Sequence, residues 1–418
     1  MEQNHKNPLW TRDFTIITIG SIVSMMGNSM AGFAISLMVL DFTGSTLLYA
    51  IYIALSTVPT LVMPIISGAI LDRFSRKKMI YTLDYLTGAL YFTVAVILFT
   101  GKFNFVLFAL FSLIIGTIGG MYYVAYESFY PLLITEGNYS KAYSIASVLE
   151  TMAVFMVPVA TFFYKLVGLA PLLMVNSLLF AVAATMERQI KAEEKYIETQ
   201  KKAIEGQNMS HARRVLTDIK EGFDYLRAEK GLLMIAVYFL FSAMAGGASN
   251  VLCLPYYKGH FENGEYIYML VFGCSFIGRA LMGLYHYAVK IPAKYKFAIA
   301  MGVYIMIGLF EGSYMYLPVK IAMVLSFFVG VGGVTSYTIR ISATQSYVPD
   351  EKKGRFNGAF QMLSTSGALI AELGAGALTK FMDERAVLLL FNLLTVTAAI
   401  IFIGGGRAHV KKIYNTSV

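Results

Sequence analysis

Among the ionisable side chains in long apolar stretches of the sequence, the candidates for chemistry are Glu127, Glu150, Arg279, Arg340 and Glu372, with Asp84 nearer the end of its stretch. A buried acid can carry a proton, and a buried arginine can grip an anionic group. Either can also simply pair with a neighbour and fix helix packing. A charge at the centre of a bilayer costs at least about 2.5–3.5 kcal/mol, so each needs a partner, water or a function. Glu150 and Glu372 are the candidates for proton coupling, and Arg279 is the candidate for meeting a substrate. Tyr123, Tyr126 and Tyr337, beside Glu127 and Arg340 in sequence, are further candidates to line a binding cavity. Asp84, Glu127 and Arg340 read as a structural or gating cluster. A second set is the run Gly68-Ala-Ile-Leu-Asp72-Arg73-Phe-Ser-Arg76-Lys77-Lys78. Its glycine permits close helix approach, and its aspartate can accept from the amides that open a neighbouring helix. Arg73 and Arg76 can bridge to carboxylates on adjacent helices.

These residues need membrane helices to position them. Of 418 residues, 57% are hydrophobic and 14% charged, against about 45–50% and about 25% in soluble proteins. Mean hydropathy is +0.62. That excludes a cytosolic enzyme, a disulfide scaffold and a disordered adaptor. A span needs about 20 mostly apolar residues. Twelve such runs stand at roughly 14–40, 47–71, 79–100, 105–133, 142–166, 171–186, 231–256, 266–288, 297–316, 318–347, 357–381 and 386–406. The sixth is short and is expected to continue past Met186. Most of the 34 lysines and arginines then fall on one side. The opposite loops hold only Lys102, Lys165, Lys258, Lys320, Lys380 and Arg385, so both termini are expected in the cytoplasm. The expected organisation is an amino-terminal six-helix half, 1–186, a cytoplasmic linker, 187–230, and a carboxy-terminal six-helix half, 231–418. Within the linker, Val215, Ile219, Phe223 and Leu226 recur at helical spacing among basic residues, which predicts an amphipathic helix serving as a strut.

The halves share a pattern. YPLLITEGNYSKAYS after span 4 aligns with QSYVPDEKKGRFNG after span 10, placing Glu136 opposite Asp350 and Lys141 opposite Arg355. With this repeat and twelve spans, the run from Gly68 to Lys78 resembles the G-x-x-x-D-R-x-x-R-R/K signature of the major facilitator superfamily. The resemblance implies an all-α polytopic fold of two six-helix halves working by alternating access. It also implies a gating latch of Gly68, Asp72, Arg73, Arg76 and Lys77, with Asp72 meeting the start of span 11 near Asn357 to Phe360 when the cytoplasmic side is closed. Shorter patterns are similar to the branch of enterobactin and macrolide exporters: Asp41-Phe-Thr-Gly-Ser45, Gln345-Ser-Tyr-Val-Pro349-Asp350 before Gly354-Arg355, and Glu221-Gly222-Phe223. That branch implies an antiporter in a bacterial cell membrane performing efflux of a small drug-like or siderophore-like compound, coupled to protons. Departures exist. The loop from Gly283 to Lys290 lacks the aspartate, span 5 keeps Pro158 without the antiporter glycines, and Asn28 stands where exporter relatives often have aspartate.

The expected partners are a small-molecule substrate, a proton and membrane lipids, on a monomer with no nucleic acid. No cofactor or metal is expected: there is no P-loop, and Cys253 and Cys274 lack ligand spacing. A facilitator or importer of an organic anion, held by Arg279, is the alternative within the class. A polytopic membrane enzyme would need a catalytic cluster, yet of five histidines only His286 approaches a span.

Overall fold

The computed structural model describes all residues except 1–7, 72–74, 102, 136–141, 143–144, 146–155, 157–158, 193–210, 290 and 416–418. The described residues are helical and contain no strand. This follows from the apolar runs, because a chain crossing lipid must satisfy its backbone hydrogen bonds internally. Helix α1 (Arg12–Thr43) opens on Thr11, whose hydroxyl accepts from the Phe14 amide at 3.2 Å. It closes on Gly44 at φ +58°, the left-handed position that glycine adopts without strain. Ser45 then accepts from the Leu48 amide at 3.3 Å and starts α2 (Thr46–Leu71). The Asp41–Ser45 pattern is thus a helix stop and restart, with Asp41 accepting from the Tyr164 hydroxyl at 2.8 Å.

Ser75 caps α3 (Arg76–Phe99) and Asn104 caps α4 (Phe105–Phe129). A 3-10 turn (Tyr130–Leu133) follows α4, and α5 spans Leu169–Arg188, past Met186 as expected. After it come α6 (His211–Ala228), α7 (Lys230–His260), α8 (Gly264–Ala288) and α9 (Lys296–Ser313). The last helices are α10 (Val319–Tyr347), α11 (Asp350–Leu378), α12 (Glu384–Ala398), which continues as a π-helical turn (Ala399–Gly404), and α13 (Arg407–Tyr414).

Among the described residues, 10 helices are long and apolar enough to cross a membrane: α1 to α5, α7 to α10, and α12. The twelve expected from sequence differ by two. The fifth, 142–166, falls largely outside the described residues. The eleventh is α11, which is long enough, but Gln361, Ser364, Thr365, Ser366 and Glu372 dilute its apolar stretch.

The chain divides into two compact units, Met1–Gly44 with Leu55–Arg214, and Ser45–Ala54 with Val215–Val418. The first turns of α2 pack within the second unit. A Cβ at Gly376 would meet Ala50, and Thr46 faces the Glu384 carboxylate at 3.4 Å. The first unit is centred on Phe14, Ile17, Ile80, Phe129 and Tyr130. The second is centred on Leu232, Tyr238, Tyr304, Phe356 and Tyr414, with the hydroxyls of Tyr304 and Tyr414 2.6 Å apart. Helix α6 is amphipathic: Gly222 and Leu226 are buried while Lys220, Glu221, Asp224 and Arg227 are exposed. Gly222 lies against the Arg355 carbonyl, and Glu221 pairs with Arg355 at 2.7 Å. Two separate sequence patterns therefore form the two sides of one contact.

Candidate functional site

In the first unit, α1, α3 and α4 enclose a cavity of about 190 Å³. Each helix supplies one face at helical spacing. Ser21, Ser24 and Asn28 come from α1, Asp84 and Thr87 from α3, and Tyr122, Tyr126 and Glu127 from α4, with Met25, Ile115 and Ile118 between them. The opposite face of α3 presents Leu86, Phe92, Val96 and Phe99 outward, as a lipid-facing surface should.

Asp84 is 2% exposed, and the Ser24 hydroxyl donates to its Oδ2 at 2.7 Å. Behind it, in the last turn of α5, Glu187 is fully buried. The two carboxyls interact with each other, and Tyr122 and Tyr126 of α4 also lie in the field of Glu187. Neither oxygen of Glu187 completes a hydrogen bond, nor does the Tyr122 hydroxyl. Gly20 makes the arrangement possible, since a Cβ there would lie 2.6 Å from Glu187 Oε1. Further along, the Tyr91 hydroxyl donates to Asn28 Oδ1 at 3.0 Å. The rings of Tyr122, Tyr126 and Tyr130 stack in series, with centroids 6.1 and 5.2 Å apart.

The residues expected to form a latch are placed only in part. Gly68 lies on α2, its surroundings outside the described residues, and Asp72 and Arg73 lie outside them too. Arg76 donates to the Ser128 carbonyl at 2.9 Å, and Lys77 donates to the Ile190 carbonyl at 2.8 Å. Both cations thus sit at helix carboxyl ends, where the dipole favours positive charge, and tie the start of α3 to the ends of α4 and α5. Glu150 lies outside the described residues.

Of the expected gating cluster, Asp84 and Glu127 line the first-unit cavity, with Tyr123 (60% exposed) and Tyr126. Arg340 belongs to the second unit. Its guanidinium lies over the rings of Phe360 (4.7 Å), Phe239 (5.2 Å) and Tyr337 (5.3 Å). Glu372 is buried in the same unit, in the field of Tyr49. Arg279 is exposed on α8, against Gly333 of α10, where a Cβ would lie 3.5 Å from Nη2.

Sequence reasoning passed over two acids. Glu187 falls at the first position of the expected linker, 187–230, yet it lies in the last turn of α5, the sixth span continued past Met186. Glu311, on α9, lies near the Ser249 hydroxyl of α7 and in the field of Arg279. It falls inside the ninth expected span, 297–316, but no spacing within that span marks its partners.

A family model described as Major Facilitator Superfamily matches residues 17–372. A curated relative, the uncharacterized MFS-type transporter YkuC of Bacillus subtilis (strain 168), is 24% identical over 239 residues, 56% of this chain. The chain spans 55% of that relative's length. Among solved structures, a mutant of the nucleoside transporter NupG superposes with a TM-score of 0.65 at 15% identity, covering 94% of this chain and 98% of that one. At that identity the likeness is one of fold.

Proposed function

The chain belongs to the Major Facilitator Superfamily, and on that footing we propose that it exports a small amphiphilic organic compound in exchange for protons. Membrane transport follows from the family; the substrate class, the direction and the coupling are our reading. One observation carries it. The first-unit cavity joins three tyrosine rings, Met25 and two isoleucines to the buried Asp84 carboxyl. Binding cavities of this make-up, mostly apolar with a few placed polar groups, suit amphiphilic ligands. Methionine and aromatic walls adapt to varied shapes. A carboxyl reached from such a cavity can exchange a proton with the aqueous phase that the cavity faces. The outward direction rests on the short patterns shared with the exporter branch.

The competing reading, import of an organic anion gripped by Arg279, is weakened by Glu311, whose charge opposes that of the guanidinium. Proteoliposomes with an imposed pH gradient separate the two. A lipophilic fluorescent dye, a macrolide, a catecholate siderophore and uridine are offered in turn. Accumulation of one of the first three that needs the gradient and collapses with a protonophore supports the proposal. Flux of any probe that ignores the gradient, or accumulation of uridine alone, overturns it.

A further inference from the structure

We propose that Asp84 and Glu187 share a single proton and form the proton-binding site of the first unit. The inference deepens the proton-coupled reading and rests on it for its purpose, while its chemistry stands on the geometry.

Two carboxyls from different helices are buried, Asp84 at 2% exposure and Glu187 at 0%, and interact with each other beside one face of α1, where Ser24 bonds Asp84 and Gly20 lies against Glu187. The Ser24 hydroxyl donates to Oδ2 of Asp84. The Tyr122 hydroxyl faces Glu187, but neither oxygen of the acid completes a hydrogen bond. The groups facing the pair can be taken helix by helix. From α1 come Ser21 and Ser24, which are neutral. From α4 come Tyr122 and Tyr126, also neutral, and Glu127 at the cavity wall. From α3 itself, Arg76 and Lys77 turn to the carbonyls of Ser128 and Ile190. Among the described residues no lysine or arginine bridges to either carboxyl.

Two adjacent carboxylates without a cation cannot both stay ionised in a dry site. One bound proton resolves the conflict. Placed on Glu187, it makes that carboxyl a donor to Asp84, which already receives Ser24, and one of the two orphaned oxygens gains a partner. Asp84 opens on the cavity, so the proton has a way out past Ser24 and Tyr122. The two sites then titrate as a pair rather than as separate residues.

The test uses the purified full-length protein, with Asp84→Asn and Glu187→Gln made separately. Infrared difference spectra on raising the pH should show loss of a protonated-carboxyl carbonyl band in the wild type. Both variants should lack that loss, because an amide in place of either acid lets the remaining one pair without a proton. Thermal unfolding in detergent gives the second readout. The wild type should lose stability as the pH rises through the step, and both variants should be flat there. If one variant does not fold, the other and the spectra decide the matter. A band loss unchanged in the variants, or absent from the wild type, overturns the proposal. Transport is read separately. A chain that shows the shared proton yet moves its probe without regard to a pH gradient supports the pair and refutes the coupled reading. Gradient-driven transport with no carboxyl band overturns the pair alone.

Discussion

Gly20→Ala is the most direct probe of how tightly α1 presses on the acid pair. A Cβ at position 20 would lie 2.6 Å from Oε1, 3.0 Å from Cγ and 3.2 Å from Cδ of Glu187. The whole end of that side chain is in the way, and it is fully buried, so it cannot swing to solvent. Either the carboxyl leaves Asp84 or α1 and α5 part. Overpacking of this kind costs about 1–3 kcal/mol. Gly32→Ala on the same helix is the control, since nothing lies within 4 Å of a Cβ there. Both changes gain the roughly 0.5–1 kcal/mol by which alanine is preferred over glycine inside a helix. That gain cancels between them and leaves the clash. The folded-to-unfolded ratio of Gly20→Ala should therefore fall roughly 5- to 150-fold below that of Gly32→Ala. Thermal unfolding of the two purified variants in one detergent, at one pH, measures the difference. Equal unfolding temperatures would refute the close packing of Gly20 on Glu187 and weaken the geometry on which the shared proton rests.

Three other outcomes follow from particular contacts. Glu221→Gln removes an ion pair whose side chains are 44% and 47% exposed and should cost no more than about 1 kcal/mol, shrinking with salt. Gly222→Ala drives a methyl into the Arg355 carbonyl and should cost more, so a reversed order in a thermal assay counts against docking of α6 on α11. Arg340→Lys keeps the charge but loses the planar face over three rings. A loss of about 1 kcal/mol is expected, and an unchanged unfolding temperature would deny the ring contacts any weight. At the start of α12, slight burial pushes the Asp383 carboxyl up, but hydrogen bonds and charge from Arg385 outweigh it and hold the group below the usual range. Its capping contribution, about 1 kcal/mol, is present above the unfolded value near pH 4 and lost as the pH falls through the folded one. Asp383→Ala should reproduce that loss at neutral pH and abolish the acid dependence.

The membrane helices were legible because lipid imposes one rule on every span, and apolar runs of 20 or so residues have no other use. Gly44 and Ser45 could be read as a helix boundary because a left-handed stop and a hydroxyl cap are local devices. What joins helices was not legible in the same way. Glu187 sits at the point where hydropathy collapses, just before the charged run from Lys191, so a window average assigns it to solvent. Its burial depends on Lys77 reaching the Ile190 carbonyl and on Gly20 leaving room, two facts from distant parts of the chain. Glu311 was hidden differently. Its neighbours Ser249 and Arg279 lie on other helices, and no spacing within α9 announces them. Arg340 read as a member of a charge cluster, yet its described surroundings are aromatic, and rings scattered over α7, α10 and α11 carry no mark of a shared centre.

The charges that the helices bury separate by what faces them. In the second unit Arg340 has aromatic faces and Glu311 has the field of Arg279, each offsetting part of the cost of burial. In the first unit the acids at positions 84 and 187 face hydroxyls and each other. An ion pair would hold the helices together at less cost, and the region does contain cations, since Arg76 and Lys77 enter α3 two turns before Asp84. Those cations hold backbone carbonyls at the ends of α4 and α5 instead. An isolated packing role predicts a partner of opposite sign, whereas a site that must gain and lose a proton predicts none, because a fixed cation would keep both acids ionised in every state. Arg76 and Lys77 fasten the helix ends, and the acid pair is left to be neutralised by the one cation that can come and go through the cavity.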